Sequence, residues 1–237
     1  MYELVDDEHD GLILAMEYVE GSDLGRVLST LRARSETMPP FVGAWIAAET
    51  ARGLHYAHEK CDDAGTPLSI VHRDVSPQNV LISCNGAVKI TDFGIATGAY
   101  SSGDGRALRG KCAYMAPEHA RGEKSDRRSD IYALGVILRE ILAGRVIHAN
   151  LRGPALLDAV RAGVVEPPSH FVSDVPTALE EIAMRALAPD PEARYQSARD
   201  MALDLGSSIV ARGELVDALV LETFLRERDL AQPWGGP

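Results

Sequence analysis

The stretch HRDVSPQN, residues His72–Asn79, places a carboxylate and a carboxamide five residues apart in a polar loop. Asp74 lies just before an apolar run, where a carboxylate can be held rigidly and stay accessible to a substrate. Asn79 begins that run and Asp92 follows the next one. An Asp and an Asn that converge suit Mg²⁺, which prefers oxygen ligands and takes few from the protein when phosphates supply others. Asp74 would then accept a proton from an attacking hydroxyl group.

A hairpin and several helices are predicted to position these residues. The runs NVLI and AVKI predict two strands joined by a turn at residues 84–86, and this hairpin returns Asp92 towards Asn79. YELV and GLILAMEY predict two more strands near the N-terminus. Apolar spacing and end signals predict the rest: a helix opened by Pro39 and Pro40, a fully buried helix from Asp130 to Ala143 that stops at Gly144, a helix capped by Thr177 and Glu180, a helix capped by Ser197, and a last helix from Glu214 to Arg228 with Leu215, Leu219 and Phe224 on one face. The predicted fold class is α+β, mainly α.

Composition excludes several classes of partner. Thirty-five acidic against 24 basic residues give a net charge of −11, the wrong sign for a protein that binds phosphate backbones, so no nucleic-acid partner is expected. Cys61, Cys84 and Cys112 are scattered and lack metal-ligand spacing, which indicates reduced intracellular thiols. The most apolar window, 131–142, contains Arg139 and Glu140 and is too short to span a bilayer. We therefore expect a cytoplasmic protein without membrane contact from this segment.

The polar motifs occur in an order that resembles the C-terminal lobe of a eukaryotic-type serine/threonine protein kinase, a family that bacteria also carry. His72, Arg73 and Asp74 match the catalytic-loop triplet, Asn79 matches the metal-binding asparagine, and residues 92–94 match the metal-binding Asp-Phe-Gly. The resemblance covers roughly Leu12 to Ile209 and implies a protein-kinase-like fold. It divides the chain into remnant small-lobe strands and the start of the hinge (1–18), a kinase C-terminal lobe (19–211), and a C-terminal helix with a frayed tail (212–237).

The resemblance implies transfer of the ATP γ-phosphoryl group to a protein hydroxyl, with ATP and Mg²⁺ as cofactors. Asp74 would be the base, and Asn79 and Asp92 the metal ligands. VSPQN after Asp74 favours a serine/threonine kinase over a tyrosine kinase, whose segment usually carries alanine and arginine there. MEYVEGSDL resembles the hinge, which assigns nucleotide contacts to Met16 as gatekeeper, to Glu17 and Val19 through backbone bonds to adenine, to Asp23 near the ribose, and to Leu81 and Thr91 beneath the adenine and beside the metal.

The activation segment and its supports follow from the same resemblance. Residues 116–118, Ala-Pro-Glu, match its end, which implies a buried ion pair between Glu118 and Arg194. Asp130 should brace the catalytic loop, with His72 as a further structural support. Arg73 resembles the arginine of kinases that are switched by phosphorylation, and the candidate acceptors are Thr97, Ser101 and Ser102. The alternative is that GAYSSGDGRALRGK is simply flexible.

Two positions depart from the family pattern at the site itself. Where such kinases usually carry a lysine two residues after the catalytic aspartate, this chain has Ser76. Where they carry a threonine after the glycine of the activation segment, it has Lys111. We predict an exchange, in which Lys111 supplies the positive charge and the Ser76 hydroxyl bonds to Asp74. The alternative is that Lys111 points to solvent.

A larger departure concerns the small lobe. Sixteen residues precede Glu17, none of them is lysine, and Gly11 is their only glycine. Family members carry a glycine-rich loop, a strand lysine and a helix glutamate in this region. We therefore expect most of the small lobe to be missing from this chain and to lie upstream in a full-length form. A fragment or misplaced start of an active kinase is favoured over a pseudokinase scaffold, and GKCAYMAPE disfavours a small-molecule phosphotransferase.

Overall fold

The computed structural model describes residues 3–7, 11–93, 112–213 and 215–230 of the chain. Within them lie two antiparallel sheets, of two strands in the order β1-β2 and of three strands in the order β3-β4-β5. The hairpin β4-β5 and the N-terminal pair β1-β2 confirm the sequence-based prediction. The strands are β1 Glu3–Asp7, β2 Gly11–Ala15, β3 Gly21–Asp23, β4 Val80–Ser83 and β5 Val88–Ile90.

Strand β3 was not expected, because glycine, serine and aspartate are poor strand formers. Tertiary pairing makes it a strand: Gly21 pairs with Ser83, and Asp23 with Leu81. The two backbones approach so closely that a Cβ atom on Gly21 would lie 2.0 Å from the carbonyl oxygen of Ile82. Glycine is therefore needed at this position.

Helices make up most of the described structure, as the sequence predicts. No described helix is both long enough and apolar enough to cross a membrane. The helices are α1 Leu24–Ala33, α2 Pro40–His58, α3 Pro117–Ala120, α4 Arg127–Ala143, α5 Gly153–Ala162, α6 Thr177–Ala186, α7 Ala198–Ala211 and α8 Ala218–Glu227.

Helix α4 is the centre of the core. Every residue from Ser129 to Ala143 is buried, and Gly144 ends the helix in the left-handed conformation at φ 65°, as predicted. The helix begins at Arg127, earlier than expected, because the Asp126 side chain accepts a hydrogen bond from the Arg128 N–H and caps it. Helices α2 and α6 pack against it, and α7 packs against α2 and α6.

Two helix ends differ from the prediction. Pro176 takes the capping position of α6, so Thr177 is already helical and makes no cap bond, and Glu180 instead accepts hydrogen bonds from the Ser169 N–H and hydroxyl group. The capping box predicted there is therefore wrong, whereas the predicted cap of α7 is confirmed, since the Ser197 hydroxyl accepts from the Asp200 N–H at 3.2 Å.

The last helix begins at Ala218, because the Asp217 carboxylate caps it by accepting a bond from the Val220 N–H at 3.0 Å. Leu215 therefore precedes the helix, and Leu215 and Leu219, both expected on the apolar face, are 75% and 63% exposed. The face that is buried consists of Leu221, Phe224 and Leu225. Glu214 lies outside the described residues.

Candidate active site

The carboxylate of Asp130 on α4 anchors the backbone of the catalytic loop. Its Oδ2 accepts a hydrogen bond from the backbone N–H of His72, and its Oδ1 accepts one from that of Arg73, both at 2.8 Å. His58 Nε2 lies 2.8 Å from the same Oδ2, so the buried carboxylate has three partners. Arg73 adopts φ 64°, a left-handed conformation that is costly for a residue with a side chain. The bonds to Asp130 hold the backbone in that conformation.

The buried His72 ring joins the loop to the segment after β5. Its Nε2 lies 2.8 Å from the carbonyl oxygen of Thr91, and its Nδ1 accepts the N–H of Asp74 at 3.3 Å. Since a carbonyl only accepts and a backbone N–H only donates, these partners place the ring proton on Nε2. The ring also contacts Phe93, with centroids 4.5 Å apart.

Asn79 brings the candidate base and the hairpin together. Its Nδ2 donates to the backbone oxygen of Asp74 at 2.7 Å and to the Oδ2 of Asp74 at 3.1 Å. The N–H of Thr91 donates to the Asn79 carbonyl at 2.9 Å and closes the base of the hairpin, immediately before Asp92. Asp92 is exposed and has φ 60°, a second left-handed residue at the site. The structure thus joins Asp74 to Asn79 directly and places Asp92 beside Thr91.

The donor set of this site fits Mg²⁺ coordinated together with phosphates. Because the amide nitrogen of Asn79 is committed to Asp74, the side-chain atom left to face a cation is Oδ1. Among the described residues no group of three or more His, Cys, Asp or Glu side chains could hold a metal ion. An oxygen from Asn79 and a carboxylate from Asp92 suit an ion that keeps most of its ligands from water and phosphate.

The residues assigned to the nucleotide lie around β3, β4 and the segment before them. Thr91 Oγ1 lies 4.0 Å from Met16 Sδ, so the structure brings these two residues together. The Glu17 side chain forms an ion pair with Lys89, while Val19 and Leu81 are half-buried. The Asp23 side chain is buried and caps α1 by accepting the Arg26 N–H at 2.8 Å. Its carboxylate therefore has a structural bond besides the ribose contact that the sequence suggests.

The hydrogen bond expected between Ser76 and Asp74 does not form. Ser76 is 1% exposed, and its Oγ has no hydrogen-bond partner within the described part of the chain. The amide of Asn79 donates to Asp74 in its place. Lys111, the other residue of the predicted exchange, lies outside the described residues, as do Gly94 and the candidate phosphoacceptors Thr97, Ser101 and Ser102.

The ion pair between Glu118 and Arg194 joins the end of the activation segment to the lobe. Both residues are buried, and two parallel bonds of 2.9 and 2.8 Å connect the guanidinium to the carboxylate. The other N–H groups of Arg194 donate to the carbonyl oxygens of Ala188, Arg128 and Pro189, so all five are satisfied. Burial alone would raise the pKa of Glu118, but hydrogen bonds from Arg194 and Ser129 hold that pKa below its ordinary value.

Sequence reasoning missed a second buried charge on α4. The Glu140 carboxylate accepts bonds from Arg32 at 2.6 Å and from the hydroxyl of Tyr114 at 2.5 Å. Burial and the adjacent Glu140 charge raise the pKa of the Tyr114 phenol. This contact ties the segment before α3 to both α4 and α1. The sequence signal for this contact was a glutamate within a helix predicted to be fully buried, because a buried charge requires partners. His58, which contacts Asp130, was also missed.

Comparison with known proteins agrees with the resemblance to protein kinases. Residues 1–203 match the family model of the protein kinase domain. The chain is 38% identical over 215 residues to the tyrosine-protein kinase MasK of Myxococcus xanthus, covering 90% of this chain and 33% of that protein. It is 37% identical over 226 residues to the serine/threonine-protein kinase PknB of Mycolicibacterium smegmatis, covering 93% and 34%. The corresponding PknB of Mycobacterium tuberculosis is 35% identical over 199 residues, covering 81% and 29%. The chain therefore spans about a third of the length of these curated relatives.

We predict that Arg194→Leu lowers the free energy of unfolding by about 3–5 kcal/mol, because it leaves the Glu118 carboxylate buried without its partner. The matched control is Arg127→Leu, which breaks the exposed pair between Arg127 and Glu59 and should cost no more than about 1 kcal/mol. Urea denaturation of both variants measures the difference. Equal losses would contradict the role of the buried pair.

Proposed function

The chain belongs to the protein kinase family, and from that premise we propose that it provides the lobe for transfer of the ATP γ-phosphoryl group to a serine or threonine hydroxyl of a protein. Its relatives named serine/threonine-protein kinase support membership of the bacterial serine/threonine branch. The observation that carries the proposal is the double hydrogen bond from the Asn79 amide to Asp74, at the base of the hairpin that leads to Asp92.

In this proposal Asp74 accepts the proton of the attacking hydroxyl group. The Asn79 amide and the His72 ring fix the position of Asp74, because they bond to its carboxylate, its carbonyl and its N–H. Asn79 Oδ1 and the Asp92 carboxylate would hold the metal ion. Mg²⁺, when bound, supplies positive charge that neutralises the charge developing on the phosphates.

The nucleotide would lie across the surface that β3, β4 and the preceding segment provide. The backbone of Glu17 and Val19 would bond to the adenine, with Met16 as gatekeeper and Leu81 beneath the ring. Thr91 would lie beside the metal ion, and Asp23 near the ribose. Arg73, which is exposed, is available to pair with a phosphate on Thr97, Ser101 or Ser102.

A tyrosine hydroxyl is the second candidate acceptor, since one relative with 38% identity bears the name tyrosine-protein kinase. A scaffold that binds without turnover and a phosphotransferase for small molecules are the further alternatives. Acceptor peptides that differ only in carrying serine, threonine or tyrosine separate the first two candidates. In a form joined to the small lobe of a relative, nucleotide binding without transfer to any acceptor would favour the scaffold.

We predict that Asp92→Asn weakens Mg²⁺-dependent ATP binding to the chain by at least about 10-fold, because it removes the charged metal ligand. The control is Asp158→Asn, which alters an exposed aspartate that pairs with Arg161 on its own helix. Isothermal titration with ATP, with and without Mg²⁺, makes the comparison. Equal affinities for the two variants would argue against a metal site at Asp92.

We expect the 237-residue chain alone to show little or no turnover, because its residues before the hinge include neither a glycine-rich loop nor a strand lysine. Joined to the small lobe of a relative, it should phosphorylate serine or threonine in a generic protein substrate. Asp74→Asn should then reduce turnover by roughly 10²- to 10⁴-fold through loss of the general base. Transfer of labelled phosphate from ATP measures both. Robust turnover by the chain alone that Asp74→Asn abolishes would contradict the first expectation.

We also propose that Lys111 supplies the positive charge at the transferring phosphoryl group, in place of the lysine that Ser76 replaces. In the same two-lobed form, Lys111→Ala should lower turnover by roughly 10²-fold, as for loss of one preorganised electrostatic group. Ser76→Lys combined with Lys111→Thr should recover much of that loss. A silent Lys111→Ala would refute the exchange.

A further inference from the structure

The segment from residue 215 to 230 lies beyond residue 203, where the match to the protein kinase domain ends. Its helix α8 nevertheless packs into the main core through Leu221, Phe224 and Leu225. Two contacts anchor the end of the segment: Arg34 donates to the carbonyl oxygen of Arg228, and the Arg228 side chain pairs with Glu36. The segment is therefore an integral part of the folded lobe.

The first turn of α8 touches the tip of the β4-β5 hairpin. Gly86 in that tip has φ 77°, and a Cβ atom added to it would lie 1.9 Å from the carbonyl oxygen of Ala218 and 2.7 Å from its carbonyl carbon. Backbone therefore meets backbone at this point, and no side chain can move aside to make room. Glycine is needed at position 86 because its φ is positive and because the two backbones lie too close for a Cβ atom.

The hairpin is held at its other points as well. At the first residue of the turn, the N–H of Cys84 donates to the carbonyl oxygen of Glu20, in the hinge-like segment, at 2.8 Å. Near its base, Ile90 lies against α2, where a Cβ atom on Gly53 would come within 3.0 Å of its Cγ2. The paired strands between tip and base are three residue pairs long, Val80–Ile90 to Ile82–Val88, or roughly 10 Å.

A hairpin this short transmits a change in its tip to its base. The base carries Asn79 and leads directly to Asp92, the two proposed metal ligands. We propose that the first turn of α8, through its contact with Gly86, is a positioning element that fixes the distance between these ligands. This inference rests on the proposed function and assigns part of the metal site's geometry to a segment outside the family-matched residues.

The test uses two variants of the full chain, each with a control that perturbs the structure equally elsewhere. Gly86→Ala pushes the tip away from Ala218; its control is Gly65→Ala, at φ 82° with nothing within 4 Å, which introduces the same backbone strain without a clash. Asp217→Ala loosens the first turn of α8 by removing its cap without touching the hairpin. Its control is Ser197→Ala, which removes the comparable cap of α7.

The readout is the Mg²⁺ concentration that gives half-maximal ATP binding, alongside ADP affinity without metal. Gly86→Ala should raise the Mg²⁺ requirement by about 10-fold, the scale for a displaced partner of a metal ligand. Asp217→Ala should raise it by a smaller factor. Both controls should match the parent chain, and metal-free ADP affinity should be unchanged throughout.

Two different results would count against the inference. If the parent binds ATP in a Mg²⁺-dependent way and both test variants match their controls, α8 only stabilises the fold and the inference alone fails. If Gly86→Ala does not fold, the result for Asp217→Ala decides. If the parent shows no Mg²⁺-dependent binding, the proposed function fails and the inference falls with it.

Discussion

The carboxylate of Asp130 is the interaction on which the catalytic loop depends. A buried carboxylate is costly unless hydrogen bonds replace its hydration, and here two backbone N–H groups and the ring of His58 do so. The same bonds hold Arg73 in a left-handed conformation. Asp74 follows immediately, so its position derives from an anchor at the centre of the core. Strain of this kind persists where the surroundings hold the backbone in place, and it is characteristic of functional sites.

Other buried polar side chains of helix α4 fix further segments of the lobe in the same way. Along one buried helix, Asp130 binds the catalytic loop, Ser129 donates to Glu118 at the end of the activation segment, and Glu140 binds Tyr114 and Arg32. These three polar side chains are each paired with a different part of the surrounding structure. A helix that is apolar nearly all round thereby also sets the relative positions of the segments that form the site.

Local signals predicted the parts of the fold that local physics determines. Gly144 ends α4, Ser197 caps α7, and the β4-β5 hairpin forms where its apolar runs predict it. Strand β3 could not be found in this way, because Gly21, Ser22 and Asp23 form a strand only through pairing with β4. The signal for α1 was present in the spacing of Leu24, Val27, Leu28 and Leu31, which all face the core.

In the candidate site, too, some features were predictable from the sequence and others depend on tertiary contacts. Spacing alone indicated that Asp74, Asn79 and Asp92 converge, and resemblance supplied the pairing of Glu118 with Arg194. The absence of a bond between Ser76 and Asp74 was not predictable from spacing, because the Asn79 amide donates to the Asp74 carboxylate instead. Leu215 lies outside the last helix because Asp217 caps that helix at Ala218, and the residues that face the core are Leu221, Phe224 and Leu225 rather than Leu219.

The most direct test of a phosphoryl-transfer site at Asp74, Asn79 and Asp92 is a crystal structure of the chain with Mg²⁺ and a non-hydrolysable ATP analogue. We expect the metal ion at about 2.1 Å from Asn79 Oδ1 and from an Asp92 carboxylate oxygen, with the γ-phosphate facing Asp74. A metal ion held by other residues, with Asn79 and Asp92 not coordinating it, would contradict the account.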